Sequence, residues 1–456
     1  MTIAEAPFRW KSVALPVFLP TLLFSTGEGA ILPIIATRAD SLGATLAIAG
    51  LIAAMIMLGT LIGDIPSGWL VGRIGERTSM IGASLVAVIG LLLATFASSL
   101  WLLGIGILLV GLATAVFALA RHAFLTSFVP QAIRARALST LGGTFRLGYF
   151  VGPFLAALVI HLTGSTAAVF GIHIAGCLGA ALILLLLKDP AAGFSTPRNA
   201  KRPPAHVPGG GLLQSRIGKA EKRDKKSVLD DDLGPRVDAE ASPLSAGRAF
   251  VAQESIGLFA TLRANRRVLA RLGSGAALVG ALRASRAVIL PLWAVSIGLG
   301  GSNTALIIGI AGAVDFALFY ASGQIMDRFG RLWSAVPSMI GLGLGHLALS
   351  VSHDLPGNVV WFITVAMFLS VANGIGSGIL MTLGADLADK DNPAPFLGAW
   401  RFTGDLGGAA APLMVSVVTA VSSLAIATAV LGAAGLVGAV ILLRYVPRYL
   451  PHDRRR

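Results

Sequence analysis

Four acids and five arginines sit inside stretches otherwise apolar enough to cross a bilayer: Glu28, Asp64, Asp315 and Asp405, with Arg121, Arg146, Arg283, Arg286 and Arg401. A charge at the bilayer centre costs at least about 2.5–3.5 kcal/mol on insertion scales, so such residues face a bundle interior or a cavity and find partners there. Glu28, in FSTGEGAILP, is flanked by Gly27 and Gly29. A carboxylate withdrawn from water there can take up and release a proton; the alternative is a fixed ion pair with an arginine. Arg283 and Arg286 are three apart and share one helix face. Aimed at the region of Glu28, they could bind an anion; structural pairing is the plainer reading. Arg401 and Asp405, four apart, can pair locally. Arg121 lies near a helix end, where a long side chain can snorkel to lipid phosphates. Asn373, Phe24 and Trp400 are further candidates for a cavity wall, with ordinary packing as the alternative.

The elements that must position these groups follow from composition. The chain has 456 residues, 55% hydrophobic and only 13% charged, against about 25% charged in soluble domains. Windows of about 20 apolar residues give six helical spans between about Val13 and Leu187, and six more between about Val268 and Arg444. The 55 glycines suit closely packed membrane helices, and the long unalternating runs do not suit a β-barrel. The expected fold is an all-α membrane protein of twelve spans. A six-helix bundle occupies 1–188, a polar linker 189–254, and a second bundle 255–456 opening with a short amphipathic helix. With both termini cytoplasmic, only Arg38 of the 36 basic residues falls in an outside loop. Five lie within spans, and 30 remain on the cytoplasmic side, as the positive-inside rule requires. The net charge of +14 then reflects topology and anionic lipid rather than a nucleic acid partner. The lone Cys177 excludes an internal disulfide and a cysteine metal cluster. No metal spacing or nucleotide-binding glycine loop stands out.

The two halves repeat. Arg146 in the fifth span and Arg401 in the eleventh each follow an aromatic (Phe145, Trp400) and a glycine three before (Gly143, Gly398). The loop after the second span reads GWLVGRIGER, with Gly68, Arg73, Gly75 and Arg77. The loop after the eighth reads GQIMDRFGR, with Gly323, Asp327, Arg328, Gly330 and Arg331. Matching features at matching places indicate an internal duplication. These loops resemble the signature of the major facilitator superfamily; the first departs from it at Gly72, where the family usually has aspartate, and Asp64 is a nearby substitute. Gly148, Gly152 and Pro153 in GYFVGP resemble the fifth-span element of that family's drug–proton antiporters, with ordinary helix packing as the alternative.

The resemblance implies two pseudo-symmetric bundles, helix two near eleven and helix eight near five. Asp64 then lies near Arg401, and Asp315 near Arg146, as a charge network that opens and closes with Arg121 and Asp405. It implies a monomeric exporter of small amphipathic molecules in the plasma (inner) membrane, driven by a proton gradient without another cofactor, with Glu28 carrying the proton. An importer of an anionic metabolite and a lipid or lysolipid transporter are the alternatives.

Overall fold

The computed structural model describes residues 17–129, 131–187, 261–388 and 394–450. The linker 189–254 and the start of the amphipathic segment lie outside the described residues. Within them are twelve helical spans long and apolar enough to cross a membrane. Spans one to six are Leu19–Ser41, Leu46–Ile74, Glu76–Thr95, Leu100–Phe128, Gln131–Thr163 and Ala167–Leu186. Spans seven to twelve are Arg266–Ser296, Gly301–Phe329, Leu332–Ser350, Asn358–Leu387, Ala394–Val421 and Leu424–Tyr449. Among the described residues the fold is all-helical, and the protein is multi-pass.

Local chemistry sets the ends. The hydroxyls of Thr45, Ser99 and Ser423 accept the backbone N–H three residues on and cap spans two, four and twelve. Span one runs on through a 3-10 turn at Leu32–Ile34 to Ser41. Arg38, expected in an outside loop, is therefore helical. Its Nη2 donates to the Ala97 carbonyl at 2.9 Å, just past the end of span three. Backbone carbonyls at a helix end need such donors.

The packing obeys one rule twice. Span one lies against five and six, two against four, and three against four and six. Span seven likewise lies against eleven and twelve, eight against ten, and nine against ten and twelve. The halves meet where five touches eight and two touches eleven. Close approach needs residues without a Cβ. A Cβ on Gly148 or Gly152 would run into the span-one backbone at Thr26 and Ala30; one on Gly407 would run into the Ala277 carbonyl of span seven.

The halves are sealed at one end. There Ser416 Oγ donates to the Ala47 carbonyl at 2.7 Å, and Ser302 Oγ to that of Ala157 at 3.1 Å. Phe150 stacks on Phe316 at 5.9 Å between centroids. Towards the opposite end of span eleven, the side chains of Arg401 and Asp405 remain 46% and 41% exposed. The halves therefore touch on the side where span one ends, while Arg401 and Asp405 stay exposed towards the other.

Candidate functional site

Each half holds a polar cluster within its spans.

The first belongs to the N-terminal half. Glu28 is 3% exposed on span one, and Thr114 Oγ1 of span four donates to its Oε1 at 3.4 Å. Tyr149 of span five and Arg121 of span four interact with the same carboxyl group. Oε2 lacks a hydrogen-bond partner among the described residues, although the Tyr149 hydroxyl interacts with the carboxyl group. Arg121 is buried, 6% exposed, with its guanidinium 4.7 Å from the centroid of the Phe145 ring. The snorkelling reading is corrected: burial between Glu28 and aromatic rings holds this arginine inside the bundle. Gly148 explains the position of Tyr149. By letting span five touch span one, it puts the next residue beside Glu28.

The second cluster belongs to the C-terminal half. Arg286 Nη2 pairs with Asp315 Oδ2 at 2.9 Å, and its Nη1 donates to Ser370 Oγ at 3.0 Å. Asn373 Nδ2 donates to the same Asp315 oxygen at 2.7 Å. Arg283 reaches span ten. That helix is interrupted after Ile375 and resumes at Ile379, and Arg283 Nη2 donates to the Gly376 carbonyl at the break. A helix C-terminus carries partial negative charge and free carbonyls, so a guanidinium fits there. Buried atoms remain unsatisfied: Arg283 Nε, Asp315 Oδ1 and Asn373 Oδ1.

Several expected placements change. Arg283 and Arg286 do not converge on Glu28, whose cation is Arg121, because span-ten and span-eight groups of their own half engage them. Asp315 bonds to Arg286 rather than Arg146. Arg146 lies over the Phe319 ring at 4.3 Å, one turn further along span eight, and feels the Asp315 charge without bonding to it. Phe24 is packed, not cavity-lining, with its ring stacked on Phe117 at 4.3 Å and edge-on to His173 at 5.0 Å. Trp400 is 4% exposed and donates to the Leu380 carbonyl at 2.7 Å, so it braces spans ten and eleven. Arg401 and Asp405 do pair along one helix face, at 3.3 Å. Asp64 is half-buried, its carbonyl accepting Ser67 Oγ at 2.8 Å. Pro153 lies within the unbroken span-five helix, and Gly148 and Gly152 serve close packing.

The repeated loops form the same turn. Gly75 and Gly330 have φ of 87° and 97°, where only glycine is unstrained. Their arginines then diverge. Arg77 caps span six through the Leu184 and Leu187 carbonyls, both at 2.6 Å. Arg331 pairs with Asp386 at 2.8 Å and Asp327 at 3.2 Å, and these carboxylates, Asp386 foremost, push its guanidinium above the ordinary arginine range. Arg73 and Arg328 lie over Trp69 and Phe329. Gly68 is buried and Gly323 borders open space.

Thr114, Tyr149, Ser370, Gly376 and Asp386 are site residues that sequence reasoning missed. Only the run NGIGSG, Asn373–Gly378, carried a readable signal, for the break in span ten.

Comparison with known proteins fits this architecture. A family model described as Major Facilitator Superfamily matches residues 17–412. The putative metabolite transport protein YncC of Bacillus subtilis is 25% identical over 397 residues, covering 81% of this chain and 82% of that protein. The MFS-type transporter ppzB of Metarhizium rileyi is 27% identical over 335 residues, 70% of this chain; the match spans 66% of ppzB. The tetracycline resistance protein, class H, of Pasteurella multocida is 27% identical over 163 residues, 35% of this chain and 40% of that protein. Among solved structures, a peptide transporter POT in complex with sulfate superposes with a TM-score of 0.69 at 13% identity, over 95% of this chain and 94% of that one. The xylose transporter XylE from E. coli, in a partially occluded inward-open conformation, gives 0.64 at 14% identity, over 96% and 99%.

Proposed function

The chain belongs to the Major Facilitator Superfamily, and from that premise we propose a proton-coupled exporter of small amphipathic molecules that works by alternating access. It is a transporter rather than an enzyme, and members of the family generally need no cofactor. One observation carries the coupling: Glu28, buried beside Arg121, Tyr149 and Thr114, with one oxygen unsatisfied. When Glu28 is ionised, Arg121 is its counter-ion. When Glu28 takes a proton, that attraction ends and Arg121 becomes an uncompensated charge in the bundle. A proton on Glu28 therefore changes the charge of the pathway by one unit, and proton and solute can exclude each other. Such competition is what antiport needs.

Support for export comes from the fifth-span Gly148–Gly152–Pro153 element and from the match to a tetracycline resistance protein. The positive-inside rule favours both termini, and with them the end of span eleven where Arg401 and Asp405 are exposed, on the cytoplasmic side of a bacterial-type plasma membrane; a monomer is the family expectation. Closure of that end would bring Arg401 from Asp405 towards Asp64, and Arg146 towards Asp315. A switch of this kind accounts for charges that add little to stability as buried pairs. Exchanging the charges of Asp64 and Arg401 should restore activity lost in each single variant; no recovery would remove that contact from the cycle.

The deciding measurement uses inside-out vesicles with an imposed proton gradient and a panel of lipophilic dyes and drugs. Gradient-dependent accumulation by the wild type, lost in Glu28→Gln, is expected. Accumulation unchanged in Glu28→Gln would refute the assignment of the coupling site. A second reading, a symporter for an anionic metabolite, is favoured by the arginine surplus of the C-terminal half. Uptake of an anion with protons, and no drug movement, would establish it instead.

A further inference from the structure

The mid-bundle charges do not balance. In the N-terminal half, Glu28 and Arg121 offset each other. Arg146 of the same half and Arg283 and Arg286 of the other share Asp315 as the one carboxylate among them, and Arg286 already holds Asp315 Oδ2. That leaves two guanidinium groups without an acid. Arg146 makes no hydrogen bond or ion pair with the described residues, its contact being the face of Phe319. Among the described residues Arg283 donates to the Gly376 carbonyl alone, and its Nε is buried without an acceptor. The two act on each other electrostatically, one from span five and one from span seven, and so from opposite halves. Like charges that share the interior of a membrane protein are costly unless an anion offsets them.

We propose that the solute carries an oxyanion, carboxylate or phosphate, that binds between Arg146 and Arg283 and so joins the two halves. A planar guanidinium with free N–H groups suits a two-oxygen acceptor. The unsatisfied acceptors Asp315 Oδ1 and Asn373 Oδ1 lie in the same cluster, and suit a hydroxyl or amino donor elsewhere on the solute. The position also gives the anion a mechanical role, because a ligand held by both halves favours the state in which they approach. This inference rests on the transporter reading but not on the direction of transport or on Glu28.

The test is binding to the full-length protein in nanodiscs, read as a thermal shift with four matched probes: naphthoate, naphthyl phosphate, naphthylmethylammonium and naphthyl glucoside. Stabilisation by one or both anions, and not by the ammonium or the glucoside, is expected. Which anion acts distinguishes a carboxylate from a phosphate solute. Arg146→Gln should weaken the anion at least about tenfold, and Arg146→Lys, which keeps the charge but not the planar fork, should retain part of the affinity. Comparable binding of the ammonium or glucoside by the wild type, or no shift with any probe, would overturn the proposal without need of a variant. Full anion affinity in Arg146→Gln would do the same. Normal anion selectivity together with unchanged driven transport in Glu28→Gln would instead remove the coupling site and leave the anion site standing.

Discussion

The two halves share a backbone and differ in charge. Span four is continuous and brings its own cation, Arg121, to the acid of span one. Its counterpart, span ten, is broken at Gly376 and receives a cation, Arg283, from the counterpart of span one. One half thus holds an acid with an arginine on a neighbouring helix; the other holds two arginines on one helix with an acid, an amide and a helix end around them. The repeated helix contacts and the glycine turns at 75 and 330 show what duplication preserves, which is the geometry of a pivoting bundle. The divergence shows what function requires. A proton site and a solute site have opposite needs, and a symmetric pair of clusters would give two copies of one of them.

Asp315→Asn is the harshest way to break the comparison. It leaves Arg286 with Ser370 as its remaining partner, beside two further arginines. Removing one member of a buried pair costs about 3–5 kcal/mol, an upper bound here because the two side chains stay 17% and 14% exposed. We expect a large loss of thermal stability, read by fluorescence-detected size exclusion, and substantial recovery in the double variant with Arg286→Gln. Stability unchanged in the single variant would mean that the C-terminal cluster is already relaxed by water or by solute.

Packing should be the next largest effect, and here the halves should agree. Gly407→Ala places a methyl against the Ala277 carbonyl of span seven, and Gly152→Ala places one against the backbone of span one. Overpacking costs about 1–3 kcal/mol. Gly72→Ala meets nothing within 4 Å and should be silent. If the two crossing variants differ widely, as judged by their midpoints of thermal unfolding, the helix crossings are less equivalent than the backbone contacts make them.

Much of this architecture is legible in the residues. Twelve apolar runs, a polar middle and the loops GWLVGRIGER and GQIMDRFGR suffice for two six-helix bundles, because a bilayer admits few other ways to satisfy a backbone. The local pair Arg401–Asp405 also follows from spacing alone. The long-range partners do not. Arg121 reads as a helix-end residue until helix packing puts Glu28 beside it. Asp315 reads as a partner for Arg146 because span eight lies against span five, but Arg286 and Asn373 approach within hydrogen-bond distance from the same half. Trp400 and Phe24 look like cavity aromatics and are core, since an aromatic on a helix serves either face equally well. Helical periodicity places a side chain on a face; which neighbour that face meets is decided by rotation and depth, which no local pattern encodes.

The loops give the smallest effect and the finest discrimination. Arg331 lies between two carboxylates of its own half, Asp327 at the end of span eight and Asp386 at the end of span ten, whereas Arg77 donates to the carbonyls that end span six. Asp386→Asn removes one partly exposed charge pair, worth under about 1 kcal/mol, so the unfolding midpoint should hardly move. What should move is the ease with which spans eight, nine and ten shift against one another, because Asp386 ends span ten and Arg331 opens span nine. Hydrogen exchange at the start of span nine is therefore expected to quicken in Asp386→Asn, while the start of span three keeps its rate. Gly72→Asp supplies the first loop with the acid that its repeat has at Asp327, in a place with room for it. If that substitution slows exchange at the start of span three, the first loop lacks only the charge. If exchange is unchanged, carbonyl capping by Arg77 already fixes the turn, and the two loops reach the same rigidity by different chemistry.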